Sequence, residues 1–337
     1  MLYYAAPMEG ITTYIYRRAH ARLYGGIDKY FTPFIADRKM TVRERRDILP
    51  ENNAGVPLVP QILTNKAADF LCIAERIASY GYDTVNLNLG CPSGTVAAKK
   101  RGAGFLSDPD ALDAFLYEIY ARCPLKISIK TRLGVADLKE WERLLTIYAK
   151  YPVEELIVHT RLLQEFYTGR THPQAYAQAV TALEDTEIPL CYNGDITSVE
   201  SRPDTAYGTS RVMIGRGLLR NPALANELRS AQGSPFADRK DVSLSGADSM
   251  SPDPFKTLRA FHDELLDGYR QIMSGDLPVL FKMKDLWTYM ICCFTDADTG
   301  TRDTDAVLKH LKKIRKADRL SEYTIAIDHL FREYQSP

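Results

Sequence analysis

The chain has 337 residues, of which 45% are hydrophobic and 26% are charged, and its formal net charge at pH 7 is zero. This composition is typical of a soluble globular protein, and no apolar run approaches the ~20 residues that a membrane-spanning helix needs. A neutral chain has no global attraction to nucleic acid, so a polyanionic partner would have to be held by a local basic patch.

Two further features bear on the compartment. Residues 1–7 lack the basic region and the apolar core of a secretory signal. The six cysteines show no CxxC spacing, so they predict neither a disulfide framework nor a zinc module. We therefore expect a cytoplasmic protein with no metal and no membrane partner. We also expect it to be a monomer.

Before residue 225 the chain repeats one pattern, a short β-rich run followed by a loop and an amphipathic helical stretch. The eight β-rich runs are residues 2–5, 29–34, 57–62, 84–89, 125–131, 155–159, 189–192 and 211–214. The helical candidates between them include residues 67–80, 110–121, 138–151, 174–183 and 222–231, whereas the stretch 37–53 offers only a turn or two of helix. Eight such units predict a (β/α)8 TIM barrel, which we assign to residues 1–231.

The remainder of the chain has a different character. Residues 232–254 are rich in Ser, Gly, Asp and Pro and are predicted to form a linker. Helical spacing without a strand pattern follows in residues 255–274, 278–294, 304–311 and 321–334, so residues 255–337 are predicted to form a smaller all-helical domain. One run within it, residues 309–319, is strongly basic, which by composition alone is most simply a solvated helix face.

Polar residues stand at or just beyond the carboxyl end of seven of the eight predicted strands. In a TIM barrel the active site lies at the carboxyl ends of the strands, so these groups are predicted to meet. A lone buried polar residue is usually a satisfied core residue, but seven converging ends favour a functional site. The groups are Ala6-Pro7-Met8-Glu9-Gly10, Gln61, Asn88 with Cys91, Lys130 with Arg132, His159 with Arg161, Asn193-Gly194-Asp195 and Gly215-Arg216-Gly217.

Cys91 is the candidate catalytic residue. Gly90 permits a sharp exit from the strand and Pro92 ends its hydrogen bonding, which holds the thiol at a rigid strand end beside the amides of Asn86 and Asn88. The alternative is a small buried hydrophobic residue, the common role of cysteine. We assign that role to Cys72, Cys123, Cys191, Cys292 and Cys293.

Four strand ends indicate the ligand. The Asn-Gly-Asp and Gly-Arg-Gly sequences after strands seven and eight, with a helix predicted to start at Pro222, are typical of a phosphate site. Lys130 could set a positive charge against a ring that becomes anionic, as a reduced flavin does, and Gln61 could bond a heterocycle edge. Together these residues favour a flat redox cofactor over a sugar phosphate.

In this order, the motifs resemble the tRNA-dihydrouridine synthase family, flavoenzymes that reduce uridines in tRNA. The resemblance covers residues 1 to about 225 and includes Asn88-Leu89-Gly90-Cys91-Pro92-Ser93, Lys130-Thr131-Arg132-Leu133-Gly134, His159-Thr160-Arg161, Gln164 and Tyr167-Thr168-Gly169. One departure is the stretch 99–104, where many relatives carry a Gly-rich turn.

The resemblance implies a cofactor, a reductant and residue roles. FMN would be bound by Pro7, Met8, Glu9, Gln61, Lys130, His159, Asn193, Gly194, Asp195, Gly215 and Arg216. NADPH would reduce it, a hydride would pass from flavin N5 to C6 of uracil, and Cys91 would protonate C5. Asn88, Arg132 and Tyr167 would contact the flipped uracil or its ribose-phosphate.

An RNA substrate also changes the interpretation of the basic residues. Lys99, Lys100 and Arg101 at the barrel mouth and the run at 309–319, with Lys312 and Lys316 at its centre, are predicted to contact tRNA phosphates. Three alternatives stay open: another FMN barrel that acts on a free small molecule, a catalytically idle RNA-binding protein, and a sugar-phosphate aldolase with Lys130 as Schiff base.

Overall fold

A computed structural model describes residues 1–201, 208–231, 253–295 and 304–334. The chain divides into two compact units. The first contains Met1–Tyr14, Ile27–Ile196 and Glu200–Gly215, and the second contains Ile15–Gly26, Thr197–Val199 and Arg216–Pro337. Within the described residues, no helix has the length and apolar character to cross a membrane.

The first unit is built on one sheet in which every paired strand is parallel. Its strands are β1 (Leu2–Ala5), β2 (Lys29–Phe31), β3 (Leu58–Val59), β4 (Gln61–Ile62), β5 (Thr84–Leu89), β6 (Lys126–Arg132), β7 (Leu156–His159), β8 (Leu190–Asn193) and β9 (Arg211–Ile214). Their order is β3-β2-β1-β9-β8-β7-β6-β5-β4. Because the two end strands follow each other directly in the chain, the sheet forms a nearly closed barrel, and the predicted fold class is confirmed.

The third predicted strand is interrupted. We expected one strand over residues 57–62, but the structure divides it into β3 and β4 at Pro60. Proline has no backbone N–H and cannot continue a ladder of hydrogen bonds. The two halves therefore pair with opposite neighbours, β3 with β2 and β4 with β5.

Helices connect the strands. Those after β1 are α1 (Tyr14–Leu23), α2 (Val42–Ile48), α3 (Ala67–Ala78), α4 (Gly94–Ala97), α5 (Pro109–Arg122), α6 (Glu140–Tyr148) and α7 (Pro173–Ala182). The short α2 is the weak helix expected in the second βα unit, and a capping box between Thr41 and Glu44 starts it. We did not predict α1, whose opening Tyr-Ile-Tyr has a strong preference for strands.

The barrel interior contains an apolar cluster and, toward its amino-terminal end, a buried ionic cluster. Tyr4, Phe31, Ile157, Cys191 and Met213 belong to a common core cluster, so Cys191 has the hydrophobic role predicted for it. The Glu155 carboxylate precedes β7, accepts the Tyr4 hydroxyl at 2.6 Å and pairs with Lys29 at 3.0 Å and with Arg211 at 3.4 Å. This cluster ties β1, β2, β7 and β9 together.

The second unit is helical. It contains most of α1 together with α8 (Arg216–Arg220), α9 (Leu224–Ser230), α10 (Pro254–Ile272), α11 (Asp276–Met290), α12 (Thr304–Lys316) and α13 (Leu320–Tyr334). The Tyr323 hydroxyl accepts the indole N–H of Trp287 at 2.7 Å and lies 2.8 Å from Nε2 of His262, all three side chains being buried. The helix predicted to begin at Pro222 is preceded by α8, so the chain is already helical at Arg216.

The predicted linker lies almost wholly outside the described residues. Of its span, only Asp253 and Pro254 are described, and they form the N-cap and the first residue of α10, whose start we had placed at residue 255. A proline suits this position because the first N–H of a helix has no intrahelical partner. The predicted domain boundaries stay a prediction.

Candidate active site

Cys91 lies two residues beyond the end of β5, and its backbone is fixed on both sides. The side-chain oxygen of Asn88 accepts the N–H of Gly90 at 3.0 Å and the N–H of Cys91 at 2.9 Å. On the other side, the Cys91 carbonyl accepts the N–H of Ala103 at 3.0 Å. A Cβ added to Gly102, whose φ is +57°, would lie only 2.9 Å from that carbonyl oxygen. The half-buried thiol is therefore presented by a rigid turn.

The amides near Cys91 form a buried chain of hydrogen bonds. Asn88 Nδ2 donates to Gln61 Oε1 at 2.7 Å, Gln61 Nε2 donates to Asn86 Oδ1 at 2.7 Å, and Asn86 Nδ2 donates to Ser128 Oγ at 2.9 Å. These are the polar partners that amides inside a barrel require. From the sequence we expected Gln61 only to contact a heterocycle, whereas in the structure its side-chain oxygen also holds the Asn88 amide.

Arg132, at the end of β6, holds two backbone segments. Its Nε donates to the Gly90 carbonyl at 2.9 Å and its Nη1 to the Leu162 carbonyl at 2.8 Å. Its guanidinium also lies 5.4 Å from the centroid of the Tyr167 ring, a cation–π contact. Burial lowers the pKa of Arg132 to about 10, which leaves it cationic at neutral pH. Arg132 thus connects the Cys91 turn to the segment that follows β7.

Lys130 carries a partly desolvated amine. Its Nζ donates to Asn193 Oδ1 at 2.8 Å, and Asn193 Nδ2 donates in turn to the Met213 carbonyl at 2.8 Å. Burial, and secondarily the charge of Arg132, lower the pKa of Lys130 to about 7. Because its one described polar partner is a neutral amide, the amine is suited to an electron-rich or anionic ligand.

His159, Arg161 and Asp195 form the next part of the site. The guanidinium of Arg161 makes a two-point ion pair with Asp195, and its Nε donates to the Gly169 carbonyl at 2.7 Å. Nε2 of the buried His159 lies 3.4 Å from Arg161 Nη1. We had listed Arg161 only as a strand end, and the structure identifies it as the side chain that fixes Asp195. No local sequence signal could show this pair, since its members lie on different strand ends.

The ends of β1 and β9 approach each other at Gly215. A Cβ built there would lie 3.6 Å from Ala6 Cβ and 4.0 Å from Met8 Sδ. Pro7 and Met8 are half-buried, whereas the exposed Glu9 accepts a hydrogen bond from Arg43 at 2.6 Å. Arg216, the remaining predicted cofactor contact, is the first residue of α8 in the second unit.

Gly194 has no room for a side chain. A Cβ built on it would lie 2.6 Å from Thr160 Oγ1, so the backbone at this strand end keeps its close approach only with glycine. The next residue, Asp195, has a φ of +37°, which is uncommon for a residue other than glycine.

The surroundings of Cys91 favour the protonated form of its thiol. Burial raises the pKa of its thiol above the ordinary value, and Glu9 raises it further, while the nearby charges of Arg132 and Lys130 lower it. The cations that act on the thiol therefore come from β6. Lys99 is exposed, and Lys100 lies 3.7 Å from Asp108.

The basic run is exposed along α12 and the turn that follows it. Lys309, Lys312, Lys313, Arg315, Lys316 and Arg319 are all exposed, and hydrophobic residues such as Ile314 lie on the buried face. None of the six forms an ion pair within 4.0 Å with another residue in the part of the chain that the structure describes. We call these six residues the basic face.

A parallel barrel whose strand ends bring a protonated thiol, a desolvated lysine and close-packed glycines together defines a (β/α)8-barrel enzyme. Residues 4–248 match the family described as dihydrouridine synthase (Dus). The chain belongs to this family, which confirms the resemblance found in the sequence.

Two similar proteins carry the name of this family. The chain is 30% identical over 281 residues to "Probable tRNA-dihydrouridine synthase 2" of Bacillus subtilis (strain 168), covering 79% of this chain and 85% of that protein. It is 32% identical over 243 residues to "tRNA-dihydrouridine(16) synthase" of Pseudomonas putida, covering 67% and 73%. A dihydrodipicolinate synthase family protein from Coccidioides immitis has a similar structure, with a TM-score of 0.50, 10% identity and coverage of 97% of this chain and 96% of that one. At that identity the structural likeness shows the fold alone.

Proposed function

We propose that this protein reduces specific uridines in tRNA to 5,6-dihydrouridine, with FMN as its cofactor and NADPH as reductant. Membership of the dihydrouridine synthase family supports the reaction, and the names of the relatives support tRNA as the substrate. The observation that carries the mechanism is the rigid, protonated Cys91 thiol beside the barrel mouth.

The residues at the strand ends fit FMN. The Lys130 amine can face an electron-rich ring, and at Gly194 and Gly215 no side chain stands beside the backbone N–H groups that a phosphate would use. We propose that the cofactor is held by Pro7, Met8, Glu9, Gln61, Lys130, His159, Asn193, Gly194, Asp195, Gly215 and Arg216. When bound and reduced by NADPH, FMN supplies the hydride that adds to C6 of uracil.

Cys91 supplies the proton. Addition of a hydride to C6 leaves C5 in need of a proton, and a thiol whose pKa is raised by burial is in the protonated form at neutral pH. The hydrogen bonds from Gly90 and Cys91 to Asn88 keep the sulfur in place while the proton moves. The same raised pKa favours recovery of a proton by the thiolate afterwards.

Several residues would receive the RNA. We propose that Asn88, Arg132 and Tyr167 contact the extruded uridine, that Lys99 and Arg101 contact phosphates near it, and that Lys312 and Lys316 of the basic face contact phosphates elsewhere on the tRNA. Extrusion is required because a base inside its stack cannot meet a cofactor in a barrel. Asn88 and Arg132 also hold the Cys91 turn, so they would couple the base to the proton donor.

The direct test is formation of dihydrouridine. Purified yellow protein, NADPH and unmodified tRNA should give dihydrouridine at defined positions, measured by nucleoside mass spectrometry, and tRNA from cells that lack the protein should lose it there. Colourless protein that binds tRNA would favour an idle RNA-binding role, and turnover of free small molecules without RNA would favour another flavin enzyme. Trapping of Lys130 by borohydride with a sugar phosphate would favour an aldolase.

A further inference from the structure

Two adjacent aromatic side chains are exposed beyond the carboxyl end of β7, at the edge of the candidate active site. Phe166 and Tyr167 follow β7 and are 49% and 47% exposed. Gln164, Thr168 and Arg170 nearby in the chain are exposed as well. An exposed stretch that combines aromatic, amide, hydroxyl and guanidinium groups is suited to nucleotides with unpaired bases.

The backbone holds Phe166 in a conformation that a bulky residue rarely adopts, with a φ of +48°. Glu165 fixes this turn: its carboxylate accepts the Leu162 N–H at 2.6 Å and lies 2.7 Å from His172 Nε2. Its backbone carbonyl accepts the Gly169 N–H at 3.0 Å. The exposed Phe166 is therefore presented by a rigid turn, and binding would cost little ordering of this segment.

A chain of contacts through Tyr167 and Arg132 joins this turn to the turn that carries Cys91. The Tyr167 ring lies 5.4 Å from the guanidinium carbon of Arg132, whose Nε binds the Gly90 carbonyl. The ring is also 6.3 Å from the His159 ring. Tyr167 thus borders the proposed uridine site, and Phe166 is the next exposed aromatic residue beside it.

We propose that Phe166 stacks on a nucleobase of the folded RNA next to the uridine that enters the site, and so stabilises the extruded state. The inference rests on the proposed function, in which the target base must leave its stack. Extrusion exposes the faces of the neighbouring bases, and an aromatic ring at that place restores stacking.

The test compares Phe166→Ala with Phe166→Trp in the FMN-loaded enzyme. Phe166→Ala should lower kcat/KM for folded tRNA about 5- to 150-fold, the range that loss of one base–aromatic stacking contact gives. Phe166→Trp should keep most of the activity, and both variants should be reduced by NADPH at the wild-type rate. Tyr117→Ala, which removes a 72% exposed aromatic residue on α5, is the matched control and should leave kcat/KM unchanged.

A third variant separates stacking from a structural role. Phe166→Gly relieves the strain of the positive φ and should therefore raise the melting temperature. It should lower tRNA turnover as much as Phe166→Ala does, because both variants lack the ring. Wild-type kcat/KM in Phe166→Ala, or an equal loss in Phe166→Trp, would overturn the inference. A wild-type enzyme that forms no dihydrouridine would instead overturn the proposed function on which it rests.

Discussion

At the scale of single residues, Lys130 is the group whose chemistry depends most on its surroundings. Its amine has a pKa of about 7 because burial, more than the repulsion from Arg132, disfavours the charged form. An electron-rich cofactor placed against it would favour the charged form and raise that pKa. At a pH between the pKa of Lys130 in the free protein and its higher pKa in the complex, cofactor binding would then be accompanied by uptake of a proton.

This linkage gives a pH prediction. From pH 7 to pH 9, the Kd of the apoprotein for FMN should rise with pH, by at most about tenfold per pH unit. In Lys130→Met the Kd should be larger at pH 7 and lose this dependence, whereas Lys126→Met, at the exposed start of the same strand, should behave as wild type. Fluorescence titration at each pH measures the Kd. The same dependence of the Kd on pH in wild type and in Lys130→Met would contradict the proposal that Lys130 contacts the cofactor.

The sequence predicted which residue types stand at the strand ends, but not what they touch. Lys130 and Asn193 were identified separately, and their 2.8 Å hydrogen bond joins residues 63 positions apart. Asn88 was expected to face a base, yet its oxygen takes two backbone N–H groups of the Cys91 turn. Such partners depend on strand register, which spacing along the chain does not specify.

At the scale of elements, the sequence located β1, β5 and β9 to the residue, because each is a short strand-forming run that ends within two residues of a proline or a glycine. It missed the break at Pro60, since a proline within an apolar run leaves the period unchanged. It also missed α1, where aromatic residues start a helix that the Phe261 ring covers through contacts with Tyr16 and Tyr24.

The ionic cluster at the amino-terminal end of the barrel gives a stability prediction. Glu155→Gln should lower the free energy of unfolding by about 3 kcal/mol, because it removes the buried charge that pairs with Lys29 and Arg211. The neighbouring Glu154→Gln disrupts only an exposed pair with Lys126 and should cost below about 1 kcal/mol. Urea denaturation measures both. Equal losses in the two variants would show that the cluster does not stabilise the barrel.

At the scale of the whole molecule, the balance of charge conceals a local asymmetry. The net charge is zero, yet the basic face places six cations on one helix and the turn after it. The helical character of this region and the barrel class followed from the sequence. The course of residues 232–252 lies outside the described residues, so the predicted linker stays a prediction.

The basic face gives a prediction for RNA binding. Lys312→Glu combined with Lys316→Glu should weaken tRNA affinity and flatten its salt dependence, because fewer counterions are released on binding. Arg122→Glu combined with Lys126→Glu makes the same change in net charge near the amino-terminal end of β6 and is the control. The tRNA affinity of each double variant is measured from about 50 to 200 mM salt, and the two salt dependences are compared. Equal effects of the two double variants would mean that only total charge matters.

The central claim is that Cys91 protonates uracil while other strand ends hold the cofactor. The most direct measurement follows Cys91→Ala through two separate steps, reduction of the bound FMN by NADPH and formation of dihydrouridine in tRNA. The variant should stay yellow and be reduced at the wild-type rate, but form dihydrouridine at least about a hundredfold more slowly, the usual contribution of a positioned general acid. Wild-type formation of dihydrouridine by Cys91→Ala would contradict the account.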